Sequence, residues 1–495
     1  MLWLALRVAS LPLEVYTRAA RTPHALAVVG STGTRAEIIA CNDAARRRGV
    51  KPGMAAAAAS ALASDLQIAP RDTAAEHAAL ERIAAWAIQF TPAVSLAGPS
   101  EVLLEVAGSL ALFGGLKPLW NAIAEGLQTL GYAAVISCAP TPLAAQWFAR
   151  AGLAVRLRHL DALHLSLSEL PVDVMDLPMD ACRLLQNVGA NTVGDALALP
   201  RDGLARRLGQ RFLDDLDRAE GSLPDPRTFF TPPTVFKASQ ALPAPAQEAE
   251  MLLFAARRML VELCGYLAAT ASGAQRLSFS FAHHGREATR ITLSLVAATR
   301  DPDHLTNVLR ERLERTQLPC LTTAIALESE LLLPLASRNL SLLPDAGQQE
   351  EAAAQLIERL RARLGDEAVL GLKRHADHRP ECAWRTCQPG NNTDAAGASR
   401  LRQPESREAV ASAAAASRPL WLLAQPRALG EVEDAPCYEG PLSLLAGPEP
   451  IESGWWDGHD VTRDYFVACN PAEAMLWIYR ERGRAGKWFL HGFFG

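Results

Sequence analysis

Two spacings of apolar residues alternate along this chain. Short apolar runs at LWLALRV, ALAVVG and EVLLEVA predict buried strands. The stretches AAEHAALERIAAWAIQF and LKPLWNAIAEGLQTL carry apolar residues at helical spacing instead. Mixed in this way over residues 1–160, they predict a sheet with helices packed on it. Residues 161–231 change to short helices punctuated by Gly and Pro. Residues 232–336 give the clearest topology: a strand at VFKASQAL, then a long amphipathic helix at QEAEMLLFAARRMLVELCGYLAATA. Two period-two strands follow, RLSFSFAHH and ATRITLSLVAAT, turning at Gly285, then a capped helix at PDHLTNVLRERLERTQL and a strand at LTTAIALESELLL. That order is a split βαβ arrangement. AAQLIERLRARLGDEAVLGL predicts a helical extension within 346–385. Residues 386–417 are small and polar and read as a flexible linker, and 418–495 form a Trp-rich terminal region.

With 495 residues and 49% apolar content the chain exceeds a single core, so an α+β multidomain architecture is expected. A charged fraction of 21% and a net charge of −5 exclude a histone-like polycation; any grip on nucleic acid must come from local basic patches. No uninterrupted apolar run is long enough for a membrane span, and the apolar N-terminus lacks a basic leader segment. Nine cysteines without framework spacing fit reduced thiols, hence a cytoplasmic location. His375, His378, Cys382 and Cys387 have spacing open to zinc, but Arg374, Arg379 and Pro380 interrupt it, which favours a polar loop; no cofactor is expected.

Candidate binding chemistry sits in the later segments. LLQNVGANTVGDAL has the form of a helix-hairpin-helix, with Val188, Gly189 and Thr192 making a tight turn whose amides can face a phosphate; the other reading is an ordinary helical pair with a Gly cap. Arg206, Arg207 and Arg211 lie just beyond. In the βαβ segment Arg276, Arg286 and Arg290 are the best phosphate-contact candidates, set against a merely solvated face. Asn339, Leu340, Ser341, Leu342 and Leu343 combine a polar anchor with apolar plugs for a hydrophobic groove; an apolar loop packed on its own domain is the alternative. Six of the ten tryptophans fall beyond residue 380. They form either a small aromatic core or a docking surface, with Trp455, Trp456, Arg463, Asp464, Tyr465 and Trp488 as candidate partner-binding residues.

This order resembles the right hand of Y-family DNA polymerases: palm and fingers over 1–160, a helix-hairpin-helix thumb over 161–231, a little finger over 232–336. The tail motifs RPLWLLAQP, GPEPIESGWWDG, RDYF and WFLHGFFG are similar to the C-terminal extension of the ImuB-type members. The resemblance implies a non-catalytic role in damage-induced mutagenesis and translesion synthesis. It implies four partners: DNA, the β sliding clamp through 337–345, an ImuA-type RecA-like protein and an error-prone C-family replicative polymerase. The alternatives are an active distributive lesion-bypass polymerase and a plain DNA-binding repair factor.

Active Y-family enzymes hold two Mg²⁺ ions with carboxylates, because Mg²⁺ takes hard oxygen ligands. Matching the first strand by its ending places Ala5 and Arg7 on the family's Asp-x-Asp positions, with Glu14 on the glutamate that closes the motif. Ser100 and Glu101 fall on the later Asp-Glu pair, leaving Glu101 as the one surviving carboxylate, expected as a solvated strand-end charge. Gln146 stands where the family carries a triphosphate-binding lysine. Asp43 replaces a tyrosine, while Arg46 and Lys51 keep basic positions. The catalytic centre is therefore expected to be degenerate.

Overall fold

The computed structural model describes residues 1–19, 24–30, 36–335, 346–389, 418–432, 435–483 and 486–494. The expected clamp-binding pentapeptide, Asn339, Leu340, Ser341, Leu342 and Leu343, and most of the expected linker lie outside these residues. The chain divides into two compact units, Met1–Arg363 and Leu364–Gly495.

In the first unit β1 (Trp3–Arg7), α1 (Leu11–Thr17), β2 (Leu26–Val29), β3 (Ile38–Cys41), α2 (Asp43–Arg46), α3 (Ala56–Leu62), β4 (Gln67–Pro70), α4 (Thr73–Ala87), β5 (Val94–Ala97), β6 (Glu101–Glu105), α5 (Leu116–Leu130), β7 (Val135–Ala139) and α6 (Pro142–Arg150) come first. β1 lies inside an antiparallel sheet ordered β5-β6-β1-β7. Its period-two alternation sends Leu4 and Leu6 into a core with Leu80, Ile83, Leu119 and Ile123 of α4 and α5. Trp3 and Ala5 point the other way, towards Trp147 and Phe148 of α6. Burial on both faces explains why LWLALRV reads as a continuous apolar run. A smaller sheet, β3-β2-β4, has its own core of Ala27, Val29, Ile38 and Val50.

Five short helices follow: α7 (Leu163–Ser168), α8 (Met179–Asn187), α9 (Val193–Ala198), α10 (Arg201–Leu208) and α11 (Gln210–Glu220). The predicted hairpin between α8 and α9 is present, with Gly189 at φ +82° and Thr192 capping α9 in a box with Asp195. Next come β8 (Lys237–Ala246), α12 (Ala249–Ala269), β9 (Ser272–His283), β10 (Arg286–Thr299), α13 (Pro302–Arg315) and β11 (Thr322–Pro334), in the order expected from the sequence. They make a sheet ordered β10-β9-β11-β8 whose Leu277, Phe279, Phe281, Ile291 and Leu293 pack with the apolar faces of α12 and α13. Then α14 (Ala346–Leu364) places buried Glu358 on the amides of Val296 and Ala297 at the edge strand β10, 2.6 and 3.2 Å away, and on His304.

The second unit begins with a hairpin, β12 (Gly371–Arg374) and β13 (Trp384–Cys387), where a helical extension was expected, and β13 crosses the expected linker start at 386. β14 (Trp421–Ala428), β15 (Gly430–Val432), β16 (Ala435–Cys437), β17 (Ser443–Ser453), β18 (Val461–Cys469), β19 (Met475–Glu481) and β20 (Trp488–Phe493) complete it. Five of these form an antiparallel sheet, β14-β20-β19-β18-β17.

Candidate functional site

Strand periodicity puts Ala5 and Arg7 on one face of β1, the face covered by α6. β6 runs alongside in register, pairing Arg7 with Glu101 and Ala5 with Leu103. On α6, Gln146 and Arg150 are one turn apart and share the face turned to the sheet. Ala5, Arg7, Ser100, Glu101 and Gln146, matched by sequence alone, are thus brought together by three separate elements. Ser100 lies in the turn just ahead of β6, where its carbonyl accepts from the Val8 amide at 2.9 Å.

Glu101 departs from expectation. It is 1% exposed, not a solvated charge. Its Oε1 accepts from Arg150 Nε at 2.7 Å, and its Oε2 from Arg150 Nη2 at 2.9 Å and Gln146 Nε2 at 2.7 Å. The fork of Arg150 holds both oxygens at once, the geometry a guanidinium offers a carboxylate. Arg7 Nε stands 4.0 Å from Glu101, and Arg7 Nη1 donates to the Arg150 carbonyl at 2.8 Å. Arg150 donates in turn to the Val174 carbonyl at 3.1 Å. The neighbouring carboxylate raises the Arg150 guanidinium above its ordinary range against the opposing effect of burial. Sequence reasoning missed Arg150; its signal was the four-residue spacing from Gln146. A cleft of about 500 Å³ opens beside this group, bordered also by Asp173 and Asp176. Asp43, Arg46 and Lys51 are exposed beside the small sheet, where Asp43 pairs with Arg46 at 3.4 Å.

In the hairpin the amides are spoken for. Val188, Gly189 and Ala190 donate to carbonyls at the end of α8, and Asn191 and Thr192 donate to Asp195 Oδ2 at 3.0 and 2.9 Å. Their hydrogen bonds hold Asp195 below the usual carboxylate range. The cations nearby are open to solvent: Arg206 and Arg207 are exposed, with no ion pair among the described residues, and Arg211 touches Asp215 only at 3.9 Å. Arg276, Arg286 and Arg290 are likewise exposed, Arg276 and Arg290 on the sheet face opposite the buried Leu277 and Ile291, and Arg286 at the Gly285 turn.

In the second unit the expected docking residues separate into two groups. Tyr465 and Trp488 are 1% and 5% exposed. Tyr465 stacks on Trp477 at 4.2 Å and bonds His491 Nδ1 at 2.8 Å, while Arg463 lies over Tyr479 and pairs with Glu381 at 2.8 Å. Asp464 accepts from Arg482 at 2.8 and 2.9 Å, tying β18 to the residue that follows β19. Tyr465 and Trp488 pack inward as part of the sheet's aromatic core, and Arg463 and Asp464 are half-buried and ion-paired within the unit. Trp455 and Trp456 are 81% and 54% exposed, packed edge to face on each other. The His375–Cys387 loop is organised around Arg379, which bonds Asp377 and Asp457; among the described residues no three His, Cys, Asp or Glu side chains are grouped for a metal. No described helix is long and apolar enough to cross a membrane.

Residues 17–150 match the model of the impB/mucB/samB family. Protein ImuB from two strains of Caulobacter vibrioides, NA1000/CB15N and ATCC 19089/CB 15, is 29% identical over 471 residues, covering 90% of this chain and the whole of the relative. Similar solved structures include DinB from Sulfolobus solfataricus, at 16% identity and TM-score 0.39 over 68% of this chain and all of that one. An insertion ternary complex of Dbh DNA polymerase matches at 16% and 0.39 over 67% of this chain and 98% of the other. Residues 17–150 therefore carry the impB/mucB/samB match, and the chain is similar to the Caulobacter ImuB proteins along nine tenths of its length.

Proposed function

We propose that this protein is a non-catalytic, DNA-binding adaptor of error-prone translesion synthesis. The observation that carries the reading is the buried Glu101–Arg150 fork. A two-Mg²⁺ nucleotidyl-transfer centre needs several carboxylate oxygens free for the ions. Here Ala5 offers a methyl group, Arg7 a cation and Ser100 a hydroxyl, and both oxygens of Glu101 are already held by a guanidinium and an amide. The residues at the matched positions do not fit the metal pair. A guanidinium cannot be deprotonated to make room for one, and Gln146 supplies no cation to a triphosphate.

Binding is a separate capacity. Exposed Arg206, Arg207, Arg276, Arg286 and Arg290 give phosphate contacts without sequence readout. The family implies further partners: the β sliding clamp through Asn339–Leu343, an ImuA-type RecA-like protein and an error-prone C-family polymerase. Trp455 and Trp456 are the exposed anchors for one of the latter two. We assign the protein to the cytoplasm. The test is primer extension by purified full-length chain with Mg²⁺ or Mn²⁺ and all four nucleotides. No extension is expected, alongside measurable binding to primer-template. Extension that is lost on Glu101→Ala would overturn the reading and make the protein a lesion-bypass polymerase.

A further inference from the structure

Where α1, α5 and α12 meet, a cleft of about 540 Å³ is bordered by Glu14, Arg18, Tyr132 and Arg258. Its charges do not balance. Glu262 of α12 is 1% exposed and serves two guanidiniums, Arg18 and, at 3.2 Å, Arg82. Arg258, one turn earlier on α12, has no carboxylate partner among the described residues. Its guanidinium lies 4.4 Å from the Phe254 ring and so close to Gly131 that a Cβ there would fall 2.7 Å from it. The C-terminal dipole of α5 offsets this cation only in part, with about half a charge. The one other carboxyl, Glu14, accepts a single bond from the Ala133 amide at 3.1 Å. Arg258 Nη1, Arg18 Nε and Glu14 Oε2 are all buried without a hydrogen-bond partner. Unpaired buried polar groups are costly, so clustering of three around one cleft marks a place where something is missing.

We propose that this cleft binds a small ligand carrying a phosphate or sulfate group, seated against Arg258 and Arg18. A tetrahedral oxyanion supplies acceptors to Arg258 Nη1 and Arg18 Nε, the two guanidinium nitrogens left unpaired. The volume lies within the range of small-molecule sites, and Leu127, Ala134 and Ile136 give the rest of the ligand an apolar wall. Because the cleft spans α1, α5 and α12, occupancy ties the βαβ domain to the β1 sheet and its helices. Burial pushes Glu14 up to about 7, and burial beside Arg18 brings Arg258 down to about 10. The groups facing Glu14 are Arg18 at the end of its own helix and the Ala133 amide ahead of β7, with Tyr132 and Arg258 bordering the same cleft. Below pH 7 the protonated Glu14 can donate to the anion; above it the carboxylate repels it.

The test uses the full chain and sulfate, whose charge is constant across pH 6–8, against sodium chloride at matched ionic strength. Direct titration should show sulfate binding more tightly at pH 6 than at pH 8, and at least tenfold weaker in Arg258→Met. Inorganic phosphate and adenosine monophosphate form the second arm. Tighter binding of the nucleotide assigns a phosphorylated organic ligand, and equal binding assigns the free anion. Should Arg258→Met fold poorly, Glu14→Gln decides: it keeps the acceptor for Ala133 and should bind sulfate equally at both pH values. Sulfate binding unchanged in Arg258→Met, or a wild-type pH dependence in Glu14→Gln, overturns the proposal.

Discussion

Replacing Arg150 by methionine probes the centre of the functional argument. The Glu101 side chain is 2% exposed and Arg150 17%, so the pair is largely removed from water. Without the guanidinium, Glu101 keeps one neutral donor, Gln146 Nε2 at 2.7 Å, and Arg7 no nearer than 4.0 Å. Leaving a buried carboxylate without its partner costs about 3–5 kcal/mol. The partial exposure of Arg150 favours the lower end. At roughly 2–4 °C per kcal/mol for domains of about 150–250 residues, and less for a larger unit, Arg150→Met should lower Tm by about 5 °C. The double variant Glu101→Gln with Arg150→Met removes both charges together and leaves a neutral amide against Gln146. It should recover most of that loss, giving a coupling of about 2 kcal/mol in a double-mutant cycle. Scanning calorimetry of the full chain, following the first transition, reads all four proteins. Strictly additive single variants would refute the reasoning, because Glu101 would then not depend on Arg150 and would be free for a metal.

Three further outcomes follow from the same structure. Trp488→Ala should destabilise the second unit by about 3–5 kcal/mol in denaturant titration, whereas Trp455→Ala with Trp456→Ala should leave the midpoint nearly unchanged and abolish capture of an ImuA-type or C-family polymerase partner; retained capture would remove the tryptophan pair from the interface. Changing Arg206 and Arg207 to Gln should weaken DNA binding evenly across sequences and flatten its salt dependence by about one unit of slope for each phosphate no longer neutralised, read by fluorescence anisotropy; an unchanged slope would place the DNA-binding cations elsewhere. Glu14 binds its proton more tightly folded than unfolded, so it lowers stability as pH rises from about 4.5 to about 7; Glu14→Gln should therefore raise Tm at pH 8, by the equivalent of about 3 kcal/mol at most, and approach wild type below about pH 4.

Much of the layout was legible because it rests on short-range rules. The split βαβ order came from switches between period two and period 3.6, and Gly189 and Thr192 marked a helix junction by their backbone and capping preferences. Ala5, Arg7, Ser100, Glu101 and Gln146 were placed by the resemblance to Y-family motifs, and strand parity accounts only for Ala5 and Arg7 sharing a face, with Glu101 one strand over. The hairpin at 371–387, where the end of a helical extension and a polar loop were expected, escaped because each of its strands is only four residues long, too short for a period to show.

By itself the sequence determined which side chains share a strand face, as Ala5 and Arg7 do on β1, since identity and strand spacing are local properties. It could not determine their state. Arg150 neutralises Glu101 across 49 residues of chain, and Tyr465 and Trp488 turn inward while Trp455 and Trp456 stay out. Those outcomes depend on which distant groups exclude water from a side chain, and only the packed tertiary structure settles that.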